Sequence, residues 1–296
     1  MWIKKKEIEQ LSEFVKGYSS GEELDIRVNR EGSFNILKND IYALVNTKNE
    51  QIKAVETERD SLSDYMADIS HQMKTPLTSI SLLLNLLQEE HLSEKKRLQY
   101  VQDLMKLTGR IDWMVYALLR LAKLDAGTVQ LQQVPYQIED LIKAAVTPLE
   151  IALDIRDITL EVQMQPDLQH RGDISWMTEA VSNILKNCME HTPSGGHIRI
   201  VTKDNPLYLL IKITDSGRGF TKQDLPHIFE RFYRGQNADT DSVGIGLALA
   251  KRIIIAQNGT IRAYNHKKDG GAVFEIRMYK GCLLYTSPSP RDKRQS

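Results

Sequence analysis

Apolar residues between positions 55 and 122 recur at spacings of three and four. Val55, Leu62, Ile69 and Leu83 fall on one phase, and Met66, Met73, Ile80 and Leu87 on the other. That is an a/d seam, interrupted at Arg59 and Pro76. The stretch from Ile41 to Ile69 is polar, helix-favouring and free of Pro and Gly. Ser93 stands where an N-cap is expected. A second seam follows, formed by Val101, Leu104, Thr108, Ile111, Val115, Leu118 and Ala122, and Gly127 ends it. The pattern predicts two long helices joined by a short connection, an αα-hairpin. One hairpin covers only half of each apolar stripe. A homodimer closing a four-helix bundle would bury both. The alternative is a hairpin that packs on the rest of its own chain.

After Pro135 the period changes. Residues 136–151 predict helix, 158–164 a strand, and 173–192 an amphipathic helix. His197–Lys203 and Leu207–Thr214 predict a strand pair joined by Asp204-Asn205-Pro206. Gly244–Asn258 predicts a helix, with closing strands at Thr260–Tyr264 and Ala272–Tyr279. The sum is an α+β sandwich with helices on one sheet face. Residues 1–40 are weakly patterned, with turn signals at Tyr18–Gly21 and Asn29–Gly32 and strand-like alternation of Leu24, Ile26 and Val28. Gly281–Ser296, with Pro288, Pro290 and a charged run, follows a finished strand and reads as a non-native or disordered tail. The expected division is 1–54 juxtamembrane or linker segment, 55–127 hairpin, 135–280 α/β sandwich, and 281–296 tail.

Composition narrows the class. Lys+Arg and Asp+Glu both total 39, so the net charge is zero and no basic field points to nucleic acid. Cys188 and Cys282 are too few and too far apart for a disulfide framework. No apolar run approaches the roughly 18 residues that span a bilayer. Met1-Trp2-Ile3-Lys4-Lys5-Lys6 lacks the apolar core of a signal peptide. It matches either a solvated helix start or the cytoplasmic edge of a membrane helix, where Trp and Lys cluster.

Four groups of residues carry chemistry. His71 lies in Asp68-Ile69-Ser70-His71-Gln72-Met73-Lys74-Thr75-Pro76, off the seam and facing water. Thr75 shares its helical face. A neutral exposed imidazole is a competent nucleophile. Asn183 and Asn187 stand one turn apart, and amide oxygens suit Mg²⁺ bridging phosphates. Taken alone, they read as two surface amides. Asp215-Ser216-Gly217-Arg218-Gly219 follows a strand. A carboxylate there can accept from an exocyclic amine, and glycines let backbone approach a flat base. Phe229-Glu230-Arg231-Phe232-Tyr233-Arg234 precedes a polar stretch, Gly235–Ser242, that reads as a mobile lid. Gly244-Ile245-Gly246-Leu247 then opens a helix whose N–H groups and dipole favour phosphate.

In this order, over roughly residues 60–280, these motifs resemble the sensor histidine kinases of two-component systems. His71 with Thr75-Pro76 matches their phosphoacceptor box, and Asn183 with Asn187 their asparagine box. Asp215–Gly219 matches the first glycine box, Phe229–Tyr233 the phenylalanine box, and Gly244–Leu247 the second glycine box. The resemblance implies a dimerisation hairpin carrying His71 and a GHKL-type ATP-binding domain. It implies ATP and Mg²⁺, with Asn187 on the metal and Asp215 reading the adenine amine. Gly217 and Gly219 would shape the adenine pocket. Gly244, Gly246 and Leu247 would hold phosphates, and Arg234 would reach the γ-phosphate. The implied reaction is autophosphorylation of His71, followed by transfer to an aspartate of a response-regulator receiver domain. The implied place is the cytoplasmic side of a membrane-bound sensor, and the implied assembly a homodimer. Thr75 would position a water for the reverse dephosphorylation.

One position departs from the family. Many relatives carry Glu or Asp directly after the histidine as a base; here Gln72 stands there, and an amide takes no proton. Asp68, three residues before His71 on the same helical face, is the acid within one turn: either it substitutes as the base, or it is a solvated helix-face charge and the imidazole proton leaves to bulk water. A GHKL ATPase of the chaperone, topoisomerase or repair type would share the nucleotide residues but needs no exposed His on a dimer helix. A non-catalytic scaffold would need neither Asn187 nor the glycine boxes.

Overall fold

Fifty-five residues, Ser33–Leu87, form a single helix, α1, in the computed structural model of this chain. The structure describes residues 12, 33–89, 91–235, 243–266 and 270–280. The early strand at Leu24–Val28, nearly all of the lid stretch, Cys282 and the tail lie outside the described residues. Two compact units are distinguished, Met1–His71 and Gln72–Ser296.

Helix α1 extends well upstream of the predicted seam and contains Pro76 without a break. Around that proline, hydroxyls bond back to carbonyls one turn earlier: Ser70 to Met66 at 2.7 Å, Thr78 to Lys74 at 2.8 Å, and Ser81 to Leu77 at 3.0 Å. Among the described side chains of α1 only Pro76 is buried.

Helix α2 runs Glu94–Asp125. Ser93 is its N-cap in extended backbone, but its side chain makes no capping hydrogen bond. The C-terminus closes with paired bonds, Gly127 N–H to Leu124 carbonyl and Thr128 N–H to Lys123 carbonyl, both at 3.2 Å. The seam from Val101 to Ala122 has no buried member. A different stripe, Met114, Ala117, Leu121 and Leu124, is buried. Its spacing of three and four marks one face of the helix.

The sandwich follows as β1 (Val134–Gln137), α3 (Ile138–Val146), a 3₁₀ turn (Thr147–Leu149), α4 (Glu150–Ile155), β2 (Thr159–Gln163) and β3 (Gln169–Gly172). Then come α5 (Ile174–His191), β4 (His197–Asp204), β5 (Tyr208–Asp215), α6 (Gly246–Ala256), β6 (Gly259–His266) and β7 (Gly270–Tyr279). The expected single helix over 136–151 is therefore four elements. Pro148 has no N–H to continue α3, and Val134–Gln137 pairs with Gln169–Gly172 instead of coiling. Four-residue strands carry too little alternation to be read locally. The main sheet has the order β2-β4-β5-β7-β6, parallel at β2–β4 and antiparallel elsewhere. Its core is Ile198, Ile200, Leu209, Ile211, Ile213 and Phe274, all fully buried. The facing stripe of α5 includes Met177, Val181, Ile184 and Cys188. Asp173 caps α5, accepting from Ser175 and Trp176 N–H, and Gln257 accepts from the Asp173 N–H at 2.7 Å.

Candidate nucleotide site

Alternate residues of β5 point into the core: Leu209, Ile211, Ile213 and then Asp215. The carboxylate thus occupies a core-facing register position at the strand end and is almost fully buried. Burial demands partners. Oδ1 accepts from the Gly217 N–H at 2.9 Å and the Ala272 N–H at 3.0 Å. The Cys188 thiol lies fully buried near it. Burial first, and then the Asp215 charge, push that thiol well above its ordinary value.

Above Asp215 opens a cavity of about 440 Å³. Its walls include Asn183 and Asn187 from α5, Asp215 and Gly219 after β5, and Arg234, Gly244, Gly246 and Leu247 before and at α6. Eight expected binding residues are therefore brought together. Gly217 stands just outside. It supports Asp215, and a Cβ there would strike the His191 carbonyl. Gly244 has φ +74°, and a Cβ would sit 2.5 Å from the Tyr233 carbonyl. That backbone state excludes Gly244 from the predicted helix, which starts at Gly246. Asn183 Oδ1 packs against Gly246 at the helix start. Asn183 is buried and Asn187 half-buried.

The segment after Gly219 is held by side chains. Phe220 and Phe229 meet Phe274 edge-on, with ring centroids 5.7 and 6.5 Å apart. Phe232 adopts φ +60°, and its N–H donates to the Gly244 carbonyl at 2.9 Å. Tyr233 donates its hydroxyl to Asp224 Oδ1 at 2.8 Å. That bond is the main influence raising the phenol above its ordinary value.

Several lining residues escape the motif reading. Lys186 and Glu190 sit on α5, Arg218 in the glycine turn, and Asp224 beyond it. Lys106, Leu107, Arg110 and Trp113 come from α2. Their signal was present as three- and four-residue spacing, on a face other than the seam. Cations Lys106, Arg110, Lys186, Arg218 and Arg234 outnumber carboxylates Glu190, Asp215 and Asp224 on the wall. Such a surplus suits a polyanion.

Asp68, His71 and Thr75 lie on α1, and all three are exposed. Asp68 and His71 stand three residues apart on continuous helix. Among the described residues no group of three or more His, Cys, Asp or Glu could hold a metal. Asn187 offers the cavity wall one amide oxygen, a hard donor of the kind that Mg²⁺ accepts. No described helix is long and apolar enough to cross a membrane.

Residues 172–280 match the histidine kinase-, DNA gyrase B- and HSP90-like ATPase family, and residues 61–127 match the His kinase A (phospho-acceptor) domain. The sensor protein SphS of Synechococcus elongatus is 31% identical over 250 residues, covering 78% of this chain and 59% of the relative. The heme sensor protein HssS of Staphylococcus saprophyticus is 29% identical over 221 residues, covering 75% and 47%. The chain spans about half the length of the curated relatives it matches. The fold matches histidine kinase ThkA, solved with response regulator protein TrrA, with a TM-score of 0.63 over 79% of this chain and 66% of that one, at 18% identity. With a phospho-acceptor domain followed by the matching ATPase domain, this chain belongs to the sensor histidine kinases of two-component systems.

Proposed function

We propose that the chain is the catalytic part of a histidine kinase. It transfers the γ-phosphoryl group of ATP to a ring nitrogen of its own His71, then passes it to an aspartate of a response-regulator receiver domain. The observation that carries this reading is the gathering of Asn187, Asp215, Gly219, Arg234, Gly244 and Gly246 around one cavity. That set offers a carboxylate for an exocyclic amine, close backbone for a base, and a helix start for phosphates. Asp215 Oδ1 is taken by two backbone N–H groups, which fix the carboxylate; its other oxygen would accept from the adenine amine. Asn187 would hold Mg²⁺, which when bound would neutralise part of the triphosphate charge. Arg234 and the α6 N-terminus add positive potential where charge spreads in the transition state.

The acceptor side follows from residue chemistry. The His71 imidazole attacks with a nitrogen lone pair, and the other nitrogen's proton must leave. Asp68 takes it, directly or through water, because Gln72 has no basic oxygen for the task. Thr75 positions a water for the reverse hydrolysis. The working division is hairpin 55–127 and ATP-binding domain 135–280. The unburied seams make the working unit a homodimer, and the longer parent protein places this part on the cytoplasmic side of a membrane, anchored upstream.

Incubation with γ-labelled ATP and Mg²⁺ tests the reading. Acid-labile, alkali-stable label on the protein is expected, and it should move to a receiver domain. His71→Gln should bind ATP but take no label. Free phosphate without labelled protein would instead mark a plain ATPase, and undiminished labelling of His71→Gln would remove His71 from the reaction.

A further inference from the structure

Helix α2 does more than carry a dimer seam. Its buried stripe, Met114 through Leu124, continues toward the helix N-terminus as Trp113, Arg110, Leu107 and Lys106, which line the nucleotide cavity. Residues 106, 110, 113 and 117 share one helical face. A helix meant only for a bundle has no reason to send two cations along this face.

Side-chain bonds hold the helix in that place. Asp125 in its last turn binds Arg231 through one oxygen and Arg252 through the other, the latter at 2.7 Å. Arg231 belongs to the phenylalanine box and Arg252 to α6, so one carboxylate ties α2 to two segments whose other residues, Tyr233 and Arg234 in one and Gly246 and Leu247 in the other, line the cavity. One turn earlier, Arg120 binds Glu179 at 2.7 Å and stacks 3.7 Å above the Trp176 ring. Its Nε also donates to the Tyr116 hydroxyl at 2.9 Å.

We infer that α2 is a working wall of the nucleotide site: Arg110, assisted by Lys106, pairs with the phosphate chain of bound nucleotide, and nucleotide binding is thereby coupled to docking of this helix. The inference rests on the proposed ATP reading. A guanidinium presents paired donors that match phosphate oxygens, and the cavity partly withdraws it from water. Lys106 is a mobile point charge whose companion Asp103 is 3.7 Å away and exposed, a weak competitor for phosphate. Trp113 and Leu107 add apolar wall and exclude water beside them.

The test is calorimetric titration of the whole chain with a non-hydrolysable ATP analogue plus Mg²⁺, and separately with adenosine. Arg110→Gln should weaken the analogue about tenfold, the loss expected for one charged hydrogen-bonded contact. It should leave adenosine within about twofold. Arg110→Lys should recover part of the loss. Asp125→Asn, outside the cavity, should weaken the analogue several-fold by releasing α2, and high salt should shrink the difference from the parent. Equal analogue affinity in parent and Arg110→Gln overturns the inference. So does an equal loss for analogue and adenosine, which would mark a collapsed cavity. Far-ultraviolet circular dichroism checks that each variant is folded, and if Arg110→Gln is not, Lys106→Gln with the same two ligands decides. Failure of the parent to bind either ligand would sink the ATP reading itself.

Discussion

The sheet domain and the hairpin solve burial in different ways. The sheet closes its own core: Ile200, Ile211, Ile213 and Phe274 are fully excluded from water within one chain. The hairpin does not. Val101, Met105, Val115 and Leu119 on α2 and Leu77, Leu82 and Leu84 on α1 remain exposed. A helix hides one stripe per neighbour, and α2 has already given one to the sheet domain. The chemistry divides in the same way. Asp215 and Asn183 are immobilised by burial, whereas Asp68, His71 and Thr75 stand on an exposed helix face. A rigid site suits recognition of one small ligand. An exposed side chain suits the proposed acceptor, which would meet both ATP and a second protein.

The largest expected effect falls on the rigid side. Asn187→Asp should abolish autophosphorylation with the fold intact, since a carboxylate adds charge beside the triphosphate and disturbs an octahedral Mg²⁺. Labelling with γ-labelled ATP reads it, and full activity would remove Asn187 from the site. On the exposed side, Asp68→Asn should cost at least about 10² in autophosphorylation rate, the contribution of a positioned base. Gln72→Glu in that background should restore much of it. A rate within about threefold of the parent corresponds to less than about 1 kcal/mol of barrier and would end the role given to Asp68.

A smaller pair of changes separates the two kinds of burial. Ile211→Ala should destabilise the sheet domain by about 2–5 kcal/mol in denaturant unfolding. Val115→Asp should leave unfolding of the sheet domain within about 1 kcal/mol yet convert the proposed dimer to monomer by light scattering. A dimer that survives Val115→Asp would place the interface elsewhere. The smallest effect concerns His170, buried on β3 with its ring 6.0 Å from Tyr136. Burial, and then Lys280, hold its imidazole below the ordinary 6.5. The unfolded chain therefore takes up a proton near that value while the folded chain resists it. The stability from neutral His170 is complete above 6.5 and is lost as pH falls through it toward the lower folded value. The thermal midpoint should drop between about pH 7 and 5, less steeply in His170→Phe. Superimposable profiles would show that His170 contributes nothing.

Periodicity and motif order alone determined much of this protein: two long helices, a following α+β sandwich, and the family. The 3.6- and two-residue periods of helix and strand survive tertiary context because one face of each element must leave water. The residues that line the cavity were legible for a related reason. Gly219 and Gly244 sit in tight turns, Asp215 at a strand end and Asn187 on an amphipathic helix, local settings that short segments encode by themselves. Pairing and docking were decided only in three dimensions. The β1–β3 pair joins segments about 35 residues apart, and Ala272 reaches Asp215 only because β7 lies beside β5. The choice between the two apolar stripes of α2 was likewise invisible in the chain. Both have helical spacing, and only the shape of the sheet domain, with Arg231, Arg252 and Glu179 placed to receive Asp125 and Arg120, selects the one that docks and leaves the other for a partner.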